Sequence, residues 1–316
     1  MTTTLTIQQI IDEWLASADI AEISKRSYRC KLSQWFRYLA TIHYDPRVPT
    51  RQQVLDWKRE LESAGRSTLT VDGYITAVRL FYRYCAKRGY YSDITNGVRS
   101  ATRYKGYRKL SLTREEAIAL LDSIDTRRTT GKRDKLAIAM MLMLGLRTCE
   151  LERMNVGDIE SAYDTRVVMV QRKGRHDKSE AVALTPYLDE LLCDYMSERE
   201  VDSWSDPLFL AERRERGQRL KRTTISEMVH DRLRAIGITD PRITAHSLRH
   251  TCAQLLLAEG VDMATVQNIL GHTSINTTRL YTDQMQRQLL IRNTPSTRIE
   301  RALHLTSKGN YSPMTD

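Results

Sequence analysis

Four short stretches of the chain hold side chains that suit work on an anionic centre. In Thr244-Ala-His-Ser-Leu-Arg-His-Thr, His246 and Arg249 lie three residues apart where a helix begins, so they share one face. An imidazole beside a guanidinium near a helix N-terminus suits a phosphate, because arginine offers a planar fork of donors and the terminus adds free N–H groups. Taken alone, the same spacing describes an ordinary surface helix. About a hundred residues upstream, Gly145-Leu-Arg-Thr-Cys-Glu-Leu sets Arg147 between two apolar helical stretches. A charge so close to buried sequence needs a partner, and Glu150, three positions on, can be one. Downstream, Gly271 is a natural helix C-cap, His272 follows it, and Tyr281 lies nine residues further. Singly these are a loop residue and a core aromatic. A charged turn, Arg172-Lys-Gly-Arg-His-Asp-Lys-Ser, adds Lys173, Arg175 and Lys178.

The elements that must position these groups are mostly helical. In the first hundred residues apolar positions recur at three and four, which predicts helices near 6–18, 24–42, 50–64 and 67–89. Thr6 and Thr50 stand where capping residues belong. The second and fourth helices interleave aromatic and basic residues, among them Lys25, Arg26, Arg29 and Lys31, then Arg79, Arg83 and Lys87. One reading packs the aromatics inside beneath a solvated basic face; the other sets that face on DNA. Residues 101–110, with Arg103 and Lys105, read as a basic linker. From Ser111 onward helices are predicted near 114–124, 133–144, 148–155, 186–199, 223–236, 245–259, 262–270 and 274–282. Thr165–Gln171 and Glu180–Leu184 are β-rich and flank the charged turn as a hairpin.

Composition narrows the partners. Lys and Arg number 49 against 39 Asp and Glu, a formal charge of +10 that favours a polyanion. The five cysteines are scattered, with no C-x-x-C pair for zinc or redox chemistry, and fit a reduced, cytoplasmic setting. No secretory signal is evident, and the longest apolar run, Leu136–Leu144, is far short of the roughly 20 residues of a membrane span.

In their joint occurrence and order these motifs resemble the tyrosine recombinase family, which includes phage and transposon integrases and the Xer chromosome-dimer resolvases. The first box is Gly145-Leu-Arg-Thr-Cys-Glu-Leu, the second His246-Ser-Leu-Arg-His-Thr, and the nucleophile region Leu270-Gly-His-Thr-Ser-Ile-Asn-Thr-Thr-Arg-Leu-Tyr. The resemblance implies a catalytic set of Arg147, Lys173, His246, Arg249, His272 and Tyr281, buttressed by Glu150. Where the family has Gly-Lys-Gly this chain has Arg172-Lys-Gly, so Lys178 stands as an alternative to Lys173.

The fold implied is mainly α with a small β-sheet or hairpin, in a two-domain tyrosine recombinase architecture. A helical, SAM-like core-binding bundle (1–100) and an α+β catalytic domain (111–282) would clamp duplex DNA. A tail helix (283–316) would be exchanged between subunits or folded back. Arg175 and the stretch from Arg213 to Arg222 would join the other basic residues on phosphates. The implied assembly is a monomer free in solution and a homotetramer on synapsed double-stranded DNA, nucleoid-associated when bound, with an accessory directionality protein as a further partner. Neither metal, cofactor nor membrane is implied. The activity expected is that of a mobile-element integrase or excisionase, with a Xer-like resolvase as the alternative. A topoisomerase-like enzyme of type IB would share the tyrosine but relax DNA without a defined site, and a regulator of the same ancestry would have lost catalytic residues.

Overall fold

A computed structural model of the chain describes residues 5–100, 110–162, 164–172, 174–211 and 217–271. The chain divides into two compact units, Met1–Lys105 and Gly106–Asp316.

The first unit is a bundle of four helices, α1 (Ile7–Ser17), α2 (Glu22–Thr41), α3 (Arg51–Ser63) and α4 (Thr68–Arg88). Capping sets their starts. The Thr6 and Thr50 N–H groups donate to the side chains of Gln9 and Gln53 at 2.8 and 2.9 Å, and each threonine hydroxyl accepts a backbone N–H from the first turn. Gly89 ends α4 in the left-handed region, at φ 75°. Aromatic residues fill the core: Trp35, Phe81 and Tyr82 are fully buried, and the Trp35 indole N–H donates to the Tyr82 hydroxyl at 3.3 Å. Each such side chain stabilises the fold by about 1.5–3 kcal/mol.

Most of the basic residues singled out on α2 and α4 have partners within the first unit. Arg79 donates to the Val98 carbonyl at 2.9 Å and so ties α4 to the segment that follows it. Lys25 pairs with Glu22, Arg29 with Asp12 and, at 3.8 Å, Arg83 with Asp93, while Lys31 lies over the Tyr28 ring. Arg26 and Lys87 are exposed. Arg103 and Lys105 lie outside the described residues.

In the second unit α5 (Arg114–Asp122), α6 (Thr129–Met143) and α7 (Thr148–Arg153) precede β1 (Ile159–Ala162), β2 (Thr165–Val170) and β3 (Glu180–Ala183). There follow α8 (Pro186–Met196), α9 (Arg222–Ala235), α10 (Ala245–Ala258) and α11 (Met263–Leu270). The strands form one antiparallel sheet in the order β1-β2-β3, with Val168 opposite both Ile159 and Val182. Alternation buries Val168 and Val170 against the main core. Sequence reasoning found β2 and β3 but not β1, whose Ile159-Glu-Ser-Ala is too short to show a period of two. It also started α6, which includes Gly131, four residues late. That glycine answers a close approach: a Cβ there would stand 1.7 Å from the Asp125 carbonyl oxygen. The helices expected near 274–282 and along the tail lie outside the described residues. Among the described residues no helix is long and apolar enough to cross a membrane.

Glu13 on α1 ties the bundle together. Its carboxylate accepts from the Tyr84 and Tyr90 hydroxyls at 2.9 and 2.8 Å and from Arg88 at 2.6 Å. Hydrogen bonds from Tyr90, Arg88 and Tyr84 hold its pKa below the usual 4.5. The unfolded chain therefore takes up the proton first as pH falls, so the carboxylate's contribution is complete above about 4.5 and is lost as pH drops through the lower folded value. Urea denaturation of the wild type at pH 6 and pH 4 should show a loss of stability in acid, and Glu13→Gln should flatten that dependence.

Candidate active site

Three crossings of the chain meet at the C-terminal end of α11, and burial of charge dictates how. The first is the link from α6 to α7. Gly145 turns the chain at φ 61°, and a Cβ there would come within 2.4 Å of Leu270 Cδ2 on α11. Only glycine combines that backbone with that approach. Arg147 then occupies the N-cap of α7. An arginine cannot accept as a capping side chain, so Glu150 does the work: its Oε2 accepts the Arg147 backbone N–H at 2.9 Å and its Oε1 the Arg147 Nη1 at 2.6 Å. The Glu150 side chain is fully buried and that of Arg147 is 20% exposed, so the guanidinium reaches solvent over a buried counter-charge.

The second crossing is α10. Sequence spacing alone also fitted a surface helix, but Ala245 and the run Ser247–Ala253 are buried, polar members included. Small and apolar residues surround the polar ones, so the helix passes through the core. Arg249 has no exposed surface. Its Nη1 donates to the Gly145 carbonyl and its Nη2 to the Leu270 carbonyl, so both ends of the buried guanidinium meet an acceptor. His246, one turn before, is exposed and sets its ring 4.5 Å from that of the buried His250. Cys252, beside Arg249, is buried, and loss of solvation pushes its thiol up to about 12 against the pull of that arginine.

The third crossing is the segment between β2 and β3. Arg172 is only 3% exposed. Its Nη1 meets Glu150 Oε2 at 3.3 Å, its Nε and Nη2 meet Glu180 Oε1 at 2.8 and 2.6 Å, and its Nη2 also reaches the Ile269 carbonyl at 2.8 Å. Lys178 is engaged elsewhere, 2.5 Å from Asp158 Oδ2. Gly271 ends α11 in the left-handed region, at φ 57°, as its sequence position implies.

The structure thus gathers Arg147, Glu150, His246 and Arg249. Arg147 and His246 line one cleft of about 750 Å³ with Thr148, Arg222 and His230. Lys173, His272 and Tyr281 lie outside the described residues; Arg172 and Gly271, which precede the first two in the chain, stand against each other at the same place. Arg175 is exposed on the turn. Arg219 does not match the expectation of a phosphate contact, since its donors go to the carbonyls of Glu152 and Met154 and to Asn155 Oδ1 at 2.7, 2.9 and 2.6 Å. Sequence reasoning also missed Arg172, which it placed with the other cations of a charged turn. The available signal was Glu180, opposite Val170 in the sheet register and so near any arginine just past β2.

The model of the phage integrase family matches residues 111–288, more than half of the chain. The chain belongs to that family. As a phage integrase family member it is a tyrosine recombinase, a site-specific enzyme that breaks and rejoins DNA strands. The tyrosine recombinase XerC of Thermodesulfovibrio yellowstonii is 27% identical over 261 residues, covering 81% of this chain and 84% of the relative. Among solved structures, the XerH recombinase in a post-cleavage complex with a palindromic difH substrate superposes with a TM-score of 0.73 at 22% identity, over 92% of this chain and 84% of the other. A lambda integrase tetramer bound to a Holliday junction gives 0.67 at 18% identity, over 88% and 78%. These two likenesses establish the fold, a mostly helical chain in two parts with a small antiparallel sheet.

Glu150 is the counter-charge for two arginines. Glu150→Gln leaves both partly uncompensated and should destabilise the second unit by about 3–5 kcal/mol, read from urea denaturation. Thiol reactivity should divide by burial. In the native protein at pH 8 a maleimide should label the exposed Cys30 and Cys193 and spare Cys85 and Cys252, whose thiols are both raised to about 12, as peptide mass spectrometry would show.

Proposed function

We propose that the enzyme cuts one DNA strand by attack of the Tyr281 hydroxyl on a scissile phosphate. The new bond joins the tyrosine oxygen to phosphorus and the bond to the 5′ oxygen breaks, giving a 3′-phosphotyrosyl enzyme and a free 5′ hydroxyl. What carries this reading is the meeting of Arg147, His246 and the buried Arg249 at the end of α11, in a chain whose next residues run from His272 to Tyr281.

Each group has a distinct task. A phosphodiester is anionic, and charge grows on its oxygens in the transition state, so fixed donors aimed there lower the barrier. Arg147, Arg249 and His272 bind the non-bridging oxygens. A phenol of pKa near 10 is only about one part in a thousand ionised at pH 7, so His246 takes its proton. Lys173 protonates the departing 5′ oxygen, a role Lys178 fits less well while it is paired with Asp158. Because the phosphotyrosine conserves the bond energy, a 5′ hydroxyl from a partner strand reseals it without ATP.

In this proposal the first unit is the core-binding domain, and Lys25, Arg26, Arg29, Lys31, Arg79, Arg83, Lys87, Arg103, Lys105 and Arg175 contribute to phosphate contact. Two duplexes and four strands call for a homotetramer on DNA built from monomers in the cytoplasm, with 283–316 exchanged between subunits and an accessory protein setting direction. The biological role is integration or excision of a mobile element. Chromosome-dimer resolution is the second reading, favoured by the Xer relative matched over most of its length.

A nicked duplex from the DNA flanking the gene should trap a covalent complex with the wild type and none with Tyr281→Phe, a denaturing gel deciding. Arg249→Lys should slow trapping by about 10²–10³-fold, since an ammonium cannot replace the fork. Deleting residues 295–316 should leave cleavage intact and abolish synapsis if the tail is exchanged; unchanged recombination would show that it folds back.

A further inference from the structure

Arg172 has no task in the mechanism above, yet it is the most constrained residue of its segment. Its neighbours Gly174, Arg175, His176 and Asp177 are exposed, as residues of a turn usually are, whereas its guanidinium is buried. Burying a charge costs heavily unless every side of it is compensated. Here the compensation comes from three separate elements: Glu150 on α7, Glu180 on β3 and the Ile269 carbonyl on α11. A planar guanidinium can bridge three elements in a fixed geometry, and a lysine ammonium cannot.

Two further details give this bridge a direction. Glu150 is shared, Oε1 on the Arg147 guanidinium and Oε2 on that of Arg172, so the segment that bears Arg172 and the phosphate-binding Arg147 hang on one carboxylate. A side chain at Gly271 would stand 2.7 Å from Arg172 Nε and 3.0 Å from its Cδ, so the glycine before His272 leaves room for this arginine. In the chain Arg172 immediately precedes Lys173.

We infer that Arg172 is a positioning residue that fixes the Lys173-bearing turn to α7 and to the end of α11, so that the proton donor stands ready at the departing oxygen. This rests on the assignment of Lys173 as that donor. The residue itself touches no reacting atom and acts through its neighbour.

The test compares two nicked substrates cut by the full-length protein, one with the natural 5′ oxygen at the scissile phosphate and one with sulfur in its place. A thiol of pKa near 8.5 leaves without a proton, so the sulfur substrate needs no general acid. Arg172→Ala and Arg172→Lys should each lose about 10²-fold on the oxygen substrate, the cost of misplacing a catalytic group by about 1 Å. Sulfur should return at least about tenfold of that loss, as it should for Lys173→Ala. Equal losses on both substrates, or no loss, overturn the inference. If Arg172→Ala fails to fold, Arg172→Lys, which keeps a cation in place, decides alone. A Lys173→Ala defect that sulfur does not relieve overturns the donor assignment itself, whereas relief confined to Lys173→Ala overturns only the role of Arg172.

Discussion

The last two carbonyls of α11 are each held by a buried guanidinium, Ile269 by Arg172 and Leu270 by Arg249, and the geometry around the site follows from that. The closing carbonyls of a helix have no partner within it and carry the negative end of its dipole. Gly271 turns its own N–H back to Asn268 and Gln267, which leaves the two carbonyls beyond them for outside donors. Arginine answers both needs, donors and positive charge, and does so from two elements far apart in sequence.

That arrangement obliges the rest of the unit to supply counter-charge in a core. Glu150 does so for Arg147 and Arg172 together, and Glu180 adds a second carboxylate on the sheet side. The Gly145 carbonyl accepts from Nη1 of Arg249, and Leu270 fills the space that a side chain at 145 would take. Glu150 and Glu180 both serve Arg172, and Glu150 serves Arg147 as well, so the assembly is a shared constraint rather than a set of separable contacts. It also holds Arg147 and Arg249 in place, which is what the proposed phosphate contacts would need of preorganised electrostatics.

Much of this was legible in the sequence because its carriers are local. Periodicity showed the helices, capping residues set several of their starts, and Gly271 announced the end of α11. His246, Arg249, Arg147 and Glu150 stood out through type and spacing, with the family resemblance joining them. What was hidden depends on distant partners. The burial of α10 cannot be read from Ser247-Leu-Arg-His-Thr, whose polar members look exposed until α6, α9 and α11 close around them. Arg172 among its neighbouring cations looks like a solvated charge, because Ile269 lies almost a hundred residues away. Strand β1, only four residues long, gains its identity only by pairing with β2.

The central claim is that Arg249, for all its burial, neutralises charge on the phosphate being cut. A scissile methylphosphonate, in which a neutral methyl replaces one non-bridging oxygen, tests this most directly. If the arginine serves to offset that charge, Arg249→Ala should cleave the methylphosphonate far faster than the natural diester, recovering much of its loss of about 10²–10³-fold. Equal failure on both substrates would mean that Arg249 supports the fold alone, and would contradict the account.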